Sequence, residues 1–283
     1  MKIAILANIR KEGARTVLPL FLNILRKESI DIILDESIKH VLDDSFEYAP
    51  VPDLFSGADM IISFGGDGSI LYTARVSEEF EIPILGVNFG KVGFLAEISP
   101  EEISTIPQKL KSGNYEILER TALQAEFLGK KYFALNDVVL DRSADTRILG
   151  LTVTVGRSYA GEFSADGLII STPTGSTAHS MAAGGPLVMP ECDVTIVTPI
   201  CPHSLTIRPM IINGCEEIRI GVIEGTARMA VDGQSFVQVP TGSEVIIRHS
   251  KHPVRIARFR DKTYFDILHT RLNWGVSFKL KNA

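Results

Sequence analysis

Apolar runs that do not alternate with polar residues constrain the fold of the N-terminal part of this chain. They occupy residues 2–7, 30–34, 59–64 and 82–87, and between the first two, residues 16–27 carry apolar side chains at helical spacing. Strands that are apolar on both faces are typical of parallel sheets covered by helices. The pattern predicts a Rossmann-like, doubly wound α/β domain.

The pattern changes after about residue 118. From there, short runs rich in β-branched residues, such as 122–127, 149–155 and 244–248, are separated by turn residues. Such runs are typical of an antiparallel sandwich. We therefore predict an α/β plus all-β chain, with an α/β domain over 1–118 and a β-rich, antiparallel β-sandwich-type domain over 119–261. The apolar spacing that begins at Tyr264 predicts a C-terminal helix over about 262–283 that packs back on the first domain.

Composition excludes several classes of partner. The 283 residues have a formal net charge of -5 and contain no long basic run, which argues against a nucleic-acid partner. The three cysteines show no CxxC spacing, so neither a disulfide framework nor a zinc site is indicated. No apolar span is long enough to cross a membrane, and the stretch after Met1 is too short for a signal peptide. We expect a cytoplasmic protein without a membrane partner.

A glycine-rich turn, Gly65-Gly66-Asp67-Gly68, follows one of the predicted strands and precedes a predicted helix. Main-chain N–H groups at such a turn and at a helix N-terminus can hold a phosphate. A carboxylate there repels phosphates, so Asp67 calls for a chemical reason, such as binding Mg²⁺ or taking a proton from a hydroxyl. The alternative is an ordinary tight turn, in which aspartate and glycine are common.

Other nucleotide-binding patterns are absent from the sequence. It contains no GxxxxGK[ST], no GxGxxG after a strand and no kinase HRD or DFG set. The turn around Asp67 is therefore the main indication of phosphate chemistry.

Further segments carry a resemblance to a known family. Residues 86–95 (GVNFGKVGFL), 135–140 (LNDVVL) and 165–180 (ADGLIISTPTGSTAHS), in this order after the glycine turn, resemble the NAD kinase family. The similarity continues through 183–186, 202–209 and 231–234. Lipid kinases of the diacylglycerol type and phosphofructokinases carry similar glycine turns, whereas the threonine- and glycine-rich segment is specific to the NAD kinases.

The resemblance implies a reaction. The chain would transfer the terminal phosphoryl group of ATP to the adenosine ribose 2′-hydroxyl of NAD and so make NADP. Asp67 would accept the hydroxyl proton, and Gly65, Gly66 and Gly68 would form the phosphate turn. Because no lysine lies in that turn, we expect a divalent cation, Mg²⁺ or Mn²⁺, to offset the charge of ATP. The sequence identifies no protein ligand set for the metal.

The resemblance also implies which residues bind NAD. Besides Asp67 and Gly68, the matching positions are Phe94, Asn136, Asp137, Arg147, Ser164, Asp166, Thr177, Ala178, His179, Ser180, Met181, Ala182 and Gln234. Two of them depart from the family pattern. His179 stands where tyrosine is more usual, and Ser164 stands where many members have arginine. The preference between NAD and NADH is therefore left open.

Alternative interpretations remain at the level of sequence. The donor could be polyphosphate, and the glycine turn would also suit a lipid or sphingoid kinase. A non-catalytic dinucleotide-binding module would keep the same binding residues. The resemblance implies a homodimer or homotetramer.

Overall fold

The computed structural model describes residues 1–10, 13–42, 45–90, 93–261 and 263–275. The strands in these ranges are β1 (Lys2–Ala7), β2 (Asp31–Asp35), β3 (Glu47–Ala49), β4 (Met60–Phe64), β5 (Ile84–Val87), β6 (Tyr115–Arg120), β7 (Leu123–Phe127), β8 (Lys130–Ala134), β9 (Asp137–Arg142), β10 (Leu149–Val155), β11 (Ser158–Ala165), β12 (Gly167–Ser171), β13 (Val194–Ile200), β14 (Met210–Asn213), β15 (Ile218–Glu224), β16 (Ala227–Val231), β17 (Ser235–Val239), β18 (Glu244–His249) and β19 (Val254–Phe259).

The α-helices in the same ranges are α1 (Ala14–Lys27), α2 (Asp67–Val76), α3 (Ile106–Lys111), α4 (His179–Ala182) and α5 (Tyr264–Leu272). Short 3₁₀ turns occupy Glu36–Val41, Asp53–Phe55, Glu78–Phe80, Pro100–Thr105 and Thr174–Thr177.

The chain divides into two compact units. Unit 1 comprises residues 1–118 and the described residues from Arg255 onward, and unit 2 comprises residues 119–254. Unit 1 is built on a seven-stranded sheet in the order β3-β2-β1-β4-β5-β19-β6. The pairs from β3 to β19 are parallel. The predicted Rossmann-like α/β architecture is confirmed.

Unit 1 is held together by apolar strands and by the inner face of α1. All five residues of β4 are buried, as expected for a strand that is covered on both faces. Helix α1 buries residues three or four positions apart, the helical repeat that places them on one face. Those residues are Ala14, Leu18, Phe21, Leu22 and Leu25. Leu18, Phe21, Leu22 and Leu25 join the β1, β4 and β5 side chains in one apolar core.

Unit 2 is a sandwich of two antiparallel six-stranded sheets. One has the order β11-β10-β15-β18-β7-β8 and the other β14-β13-β12-β9-β16-β17. A single cluster of buried side chains contains residues of both sheets, for example Leu151 and Ile247 from the first and Leu140 and Met229 from the second. Alternate residues face this core along β7 and β10. The antiparallel β-sandwich-type prediction for this part of the chain is confirmed.

Two details concern the ends of the predicted domains. The β-rich part was placed over 119–261, but β19 pairs in parallel with β5, so the chain returns to the unit 1 sheet after residue 254. Of the C-terminal helix predicted over about 262–283, the structure describes α5, which covers Tyr264–Leu272. Helix α5 ends at Leu272 because Asn273 adopts a left-handed backbone with φ 52°, a common helix stop. Residues 262 and 276–283 lie outside the described residues.

The packing of β5 against α2 predicts the effect of one substitution. A methyl group at Gly86 would overlap the Ile70 side chain and the backbone at Leu95 and Ala96. We expect Gly86→Ala to lower the free energy of unfolding by about 1–3 kcal/mol, the usual cost of overpacking. Urea denaturation followed by circular dichroism measures the change.

The matched control for Gly86→Ala is Gly90→Ala, since a methyl group at Gly90 would meet none of the described residues within 4 Å. Equal denaturation midpoints for the two variants would contradict the packing described for β5.

Candidate functional site

The Asp67 carboxylate lies at the start of α2 and accepts three main-chain hydrogen bonds. The N–H of Phe94 donates to Oδ2 at 2.9 Å, and the N–H groups of Leu95 and Ala96 donate to Oδ1 at 3.0 Å each. Asp67 itself is half-buried and the neighbouring Gly68 is exposed. The carboxylate therefore connects the glycine turn to the segment that carries Phe94.

Close approach at this turn requires glycine at two positions. A side chain at Gly93 would overlap the Asp67 carboxylate. At Gly65, which has φ 154°, a side chain would overlap Ser69. Gly66 precedes α2 in an extended conformation. The glycines of residues 65–68 and 93 thus serve the geometry around Asp67 as well as leaving main-chain groups accessible.

A cavity of about 400 Å³ lies beside this turn, entirely within unit 1. The sheet order places β1 next to both β2 and β4, so the direction of strand succession reverses between β1 and β4. Ligands of open α/β sheets bind outside the carboxyl ends of strands at such a point. The cavity is lined by residues that follow or end these strands and by the first turns of α2: Leu6, Ala7, Asn8, Arg10, Asp35, Ser37, Ser63, Gly68, Ser69, Tyr72 and Thr73.

In unit 2, a second carboxylate organises the Asn136-Asp137 pair. Asp232 accepts N–H groups from Leu135 at 2.9 Å, Asn136 at 2.8 Å and Asp137 at 3.1 Å. Asp232 has a left-handed backbone with φ 49°, which aspartate tolerates better than most residues. This arrangement fixes the start of β9.

Asn136 and Asp137 share a cavity of about 310 Å³ with Ala178, His179 and Phe236. Arg228 and Asp141 also line it and form an ion pair at 2.6 Å. The structure therefore brings together four of the residues that the sequence assigned to NAD binding: Asn136, Asp137, Ala178 and His179.

Asp137 is buried, with 5% of its surface exposed. Removal from water raises the pKa of its carboxyl group to about 7, and the nearby Asp232 charge acts in the same direction. The main-chain N–H of His179 donates to the carboxylate and acts in the opposite direction. At neutral pH this group can therefore donate a hydrogen bond as well as accept one.

The hydroxyl groups of the segment after β12 form hydrogen bonds largely within unit 2. Thr177 donates to the Thr174 carbonyl at 3.3 Å, and the buried hydroxyl of Ser180 lies 2.8 Å from that of Thr198. In contrast, His179 and Ala182 are exposed, and Met181 is half-buried. Thr177 and Ser180 therefore support the turn that presents Ala178 and His179.

The remaining predicted residues lie elsewhere. Asp166 pairs with Arg142 at 3.0 Å, and Ser164 lies in β11 opposite Gly150. Arg147 lines a separate, open cavity of about 700 Å³ with Asp145 and other residues of unit 2. Gln234 lies in the turn between β16 and β17, and Phe94 has its ring 5.9 Å from the Arg271 guanidinium. The structure does not bring these five residues into the cavity around Asp137.

Several lining residues were missed from the sequence, namely Asn8, Arg10, Asp35, Ser37 and Tyr72 in unit 1 and Arg228, Asp232 and Phe236 in unit 2. One signal was available: Asn8 and Asp35 are polar residues at the ends of apolar strands, where parallel sheets place their ligands.

Within the described ranges, no group of three or more His, Cys, Asp or Glu side chains is arranged to hold a metal ion. No helix in the same part of the chain has the length and apolar character needed to cross a membrane.

Sequence comparison relates both parts of the chain to one group of enzymes. Residues 3–115 match the model of the ATP-NAD kinase N-terminal domain, and residues 135–259 match that of the ATP-NAD kinase C-terminal domain. The chain is 39% identical to an NAD kinase of Geotalea daltonii over 232 residues, 79% of this chain and 81% of the relative. It is 43% identical to an NAD kinase of Clostridium botulinum over 222 residues, 76% of this chain and 79% of the relative.

Solved structures share the fold. A yeast NADH kinase crystallised with NADH matches with a TM-score of 0.91 and 23% identity, covering 100% of this chain and 90% of that one. An NAD kinase from Archaeoglobus fulgidus in complex with ATP matches with a TM-score of 0.78 and 23% identity, covering 96% and 99%.

The burial of Asp137 predicts a pH-dependent stability difference. Folding raises the pKa of Asp137 from 3.8 to about 7. Between these pH values the folded chain binds a proton that the unfolded chain does not bind. The stabilisation from this group therefore falls as pH rises through this range. Asp137→Asn does not titrate. We expect its free energy of unfolding, relative to the unsubstituted chain, to increase by about 1–3 kcal/mol between pH 5 and pH 8.

Thermal and urea unfolding at both pH values measure this difference. Asp145→Asn is the control, because Asp145 is an exposed carboxylate of the same unit. A difference between Asp137→Asn and the unsubstituted chain that is the same at pH 5 and pH 8 would exclude the buried carboxyl as its cause.

Proposed function

The chain belongs to the NAD kinase family and transfers a phosphoryl group from ATP to NAD, and we propose that Asp67 is the base of this reaction. The adenosine ribose 2′-hydroxyl of NAD would give its proton to the Asp67 carboxylate. Its oxygen would form a bond to the terminal phosphorus of ATP while the bond to the bridging oxygen breaks, leaving NADP and ADP.

The observation that carries this proposal is the hydrogen bonding of Asp67. A carboxylate has about four acceptor positions. Among the described residues, Oδ1 receives two N–H groups and Oδ2 receives one. We therefore assign proton acceptance to Oδ2, which keeps an acceptor position while the N–H groups hold the carboxylate in place.

The turn beside Asp67 supplies the features that a triphosphate needs. Helix α2 starts there, and the positive end of its dipole favours anions. Arg10 lines the adjoining cavity and adds a positive charge. We propose that Gly65, Gly66 and Gly68 contact the phosphates of ATP through their backbone.

We propose that NAD is bound in unit 2 by Asn136, Asp137, Ala178 and His179, which share one cavity. The raised pKa of Asp137 would let its carboxyl group donate to an acceptor atom of the dinucleotide. Roles for Phe94, Arg147, Ser164, Asp166, Thr177, Ser180, Met181, Ala182 and Gln234 rest on the family resemblance alone. The proposal does not choose between NAD and NADH as the phosphoryl acceptor, so the rate of phosphorylation is to be measured with both dinucleotides.

We propose Mg²⁺ or Mn²⁺ as part of the substrate, bound to ATP, because the turn over residues 65–68 contains no lysine to offset the charge of the phosphates. The cation would reduce the charge on the phosphates as the terminal group is transferred.

We also propose a cytoplasmic homodimer or homotetramer. The free cysteines Cys192, Cys201 and Cys215 are all exposed, as suits a reducing compartment. Exposed apolar residues of unit 2, including Met210 and Ile211 of β14, offer a contact between copies. Light scattering on the purified chain measures the mass.

The comparisons give no support to a lipid kinase or to a non-catalytic module.

The assignment of Asp67 predicts that Asp67→Asn lowers the rate of NADP formation by about 100-fold or more, the usual contribution of a general base. A coupled assay of NADP formation with saturating NAD and Mg·ATP measures this rate. The hypothesis of a base is wrong if the variant keeps turnover within about threefold of the unsubstituted enzyme.

Asp67 also holds the 94–96 segment, so binding must be measured in the same variant. Loss of turnover with NAD and Mg·ATP affinities within about threefold, by calorimetry, supports the base. Parallel loss of both affinities would assign Asp67 to positioning the turn instead.

The metal proposal predicts that EDTA abolishes NADP formation and that Mg²⁺ or Mn²⁺ restores it, with the rate following the concentration of the metal–ATP complex. The measurement is the initial rate at fixed ATP and varied metal. Undiminished turnover in excess EDTA would contradict it.

A further inference from the structure

The cavity at the carboxyl ends of β1 and β4 contains an acidic side chain that the transfer of a phosphoryl group does not explain. Asp35 is the last residue of β2 and lines this cavity together with Asn8, Arg10 and Ser69. A carboxylate near a phosphate-binding turn repels the phosphates. Its presence therefore points to a neutral, hydroxyl-bearing part of a ligand.

The hydrogen bonds of Asp35 leave both of its oxygens with acceptor capacity. The main-chain N–H of Ser37 donates to Oδ1 at 3.1 Å, and the Ser37 hydroxyl donates to Oδ2 at 2.7 Å. Each oxygen offers about two acceptor positions, so each keeps one within the described part of the chain. The Ser37 contacts also hold the carboxylate in one orientation. Two fixed acceptors on one planar group suit the two neighbouring hydroxyls of a ribose.

The position of Asp35 in the sheet supports the same interpretation. In doubly wound folds, an acidic residue at the end of the strand next to β1 commonly binds the ribose of a nucleotide, whose phosphates sit at a helix N-terminus. Here β2 is hydrogen-bonded to β1, and Gly68 and Ser69 of α2 line the same cavity as Asp35. The cavity, of about 400 Å³, is within the usual size for a small-molecule site.

We propose that this cavity binds the nucleoside part of the phosphoryl donor, with the Asp35 carboxylate accepting hydrogen bonds from the ribose 2′- and 3′-hydroxyls. Arg10 lines the same cavity and binds the phosphates. The inference rests on the proposed function, because it assigns the donor of that reaction. It makes the chain selective for ribonucleoside triphosphates over deoxyribonucleotides and inorganic polyphosphate.

The side chain of Arg10 is available for such a contact. Within the described residues its guanidinium has no hydrogen bond or ion pair, and only its main-chain N–H is engaged, donating to Asn8 Oδ1 at 3.2 Å. A phosphate contact from Arg10 would not distinguish ATP from dATP, since both carry the same triphosphate. Asp35 and Arg10 therefore make separable predictions.

The test compares the binding of Mg·ATP and Mg·dATP by calorimetry, without NAD, and repeats the comparison as kcat/KM with NAD. We expect the unsubstituted chain to prefer ATP by about 10-fold or more, as for a lost hydrogen bond to a charged group. In Asp35→Ser the preference should fall below about threefold. Serine keeps an oxygen that caps the Glu36–Val41 turn but removes the carboxylate.

Two matched variants complete the design. Asp31→Ser changes an exposed aspartate at the other end of β2, outside the cavity, and should keep the ATP preference of the unsubstituted chain. Arg10→Ala should weaken ATP and dATP by the same factor. The binding of 3′-deoxy-ATP by the unsubstituted chain gives a measurement that does not depend on how any variant folds, and it should be weaker than that of ATP.

Equal affinities of the unsubstituted chain for ATP and dATP would overturn the inference, as would an unchanged preference in Asp35→Ser. If Asp35→Ser changed only the affinity for NAD, the cavity would bind NAD and not the phosphoryl donor. That result would also overturn the inference. A preference for ATP that requires Asp35, found in a chain that forms no NADP, would retain this nucleoside site while rejecting the proposed role of Asp67.

Discussion

Each unit contains a carboxylate that accepts three main-chain N–H groups, and the site-bearing segments depend on these contacts. Asp67 binds the amides of residues 27, 28 and 29 positions further along the chain. Asp232 binds those of residues 95 to 97 positions earlier. Buried amides outside helices and sheets need acceptors, and one carboxylate can serve three of them. Segments that are far apart in sequence are thereby fixed in relation to each other.

The architecture was largely predictable because it follows from which faces of the strands are apolar. The unbroken apolar run of β4 indicates burial on both faces, and the alternation along β7 and β10 indicates burial on one. The placement of β19 was not predictable in this way. Its sequence is compatible with either unit, and only its long-range pairing with β5 assigns it to the parallel sheet. Local patterns cannot specify such a partner.

The sites were predictable only in part, for a related reason. Asp137 is recognisable beside Asn136, but its raised pKa comes first from burial in the folded chain and then from the charge of the distant Asp232. The hydroxyls after β12 suggested ligand contacts, whereas that of Ser180 is turned toward Thr198. A sequence of hydroxyl residues does not distinguish groups that face a ligand from groups that satisfy a neighbouring turn. Asp35 was missed because its significance comes from the strand order, which no short motif contains.

The three hydrogen bonds that Asp67 accepts bear on its proposed role as the base of the reaction. A base that must be ordered when the substrate binds costs conformational free energy at that step, whereas one held by three N–H groups has been ordered during folding. Among the described residues, the same hydrogen bonds fill three of about four acceptor positions and leave one on Oδ2 for a hydroxyl. For the proposed base, a restricted approach would select the geometry of proton transfer, and the glycine at position 93 lets the backbone come close enough to impose that restriction.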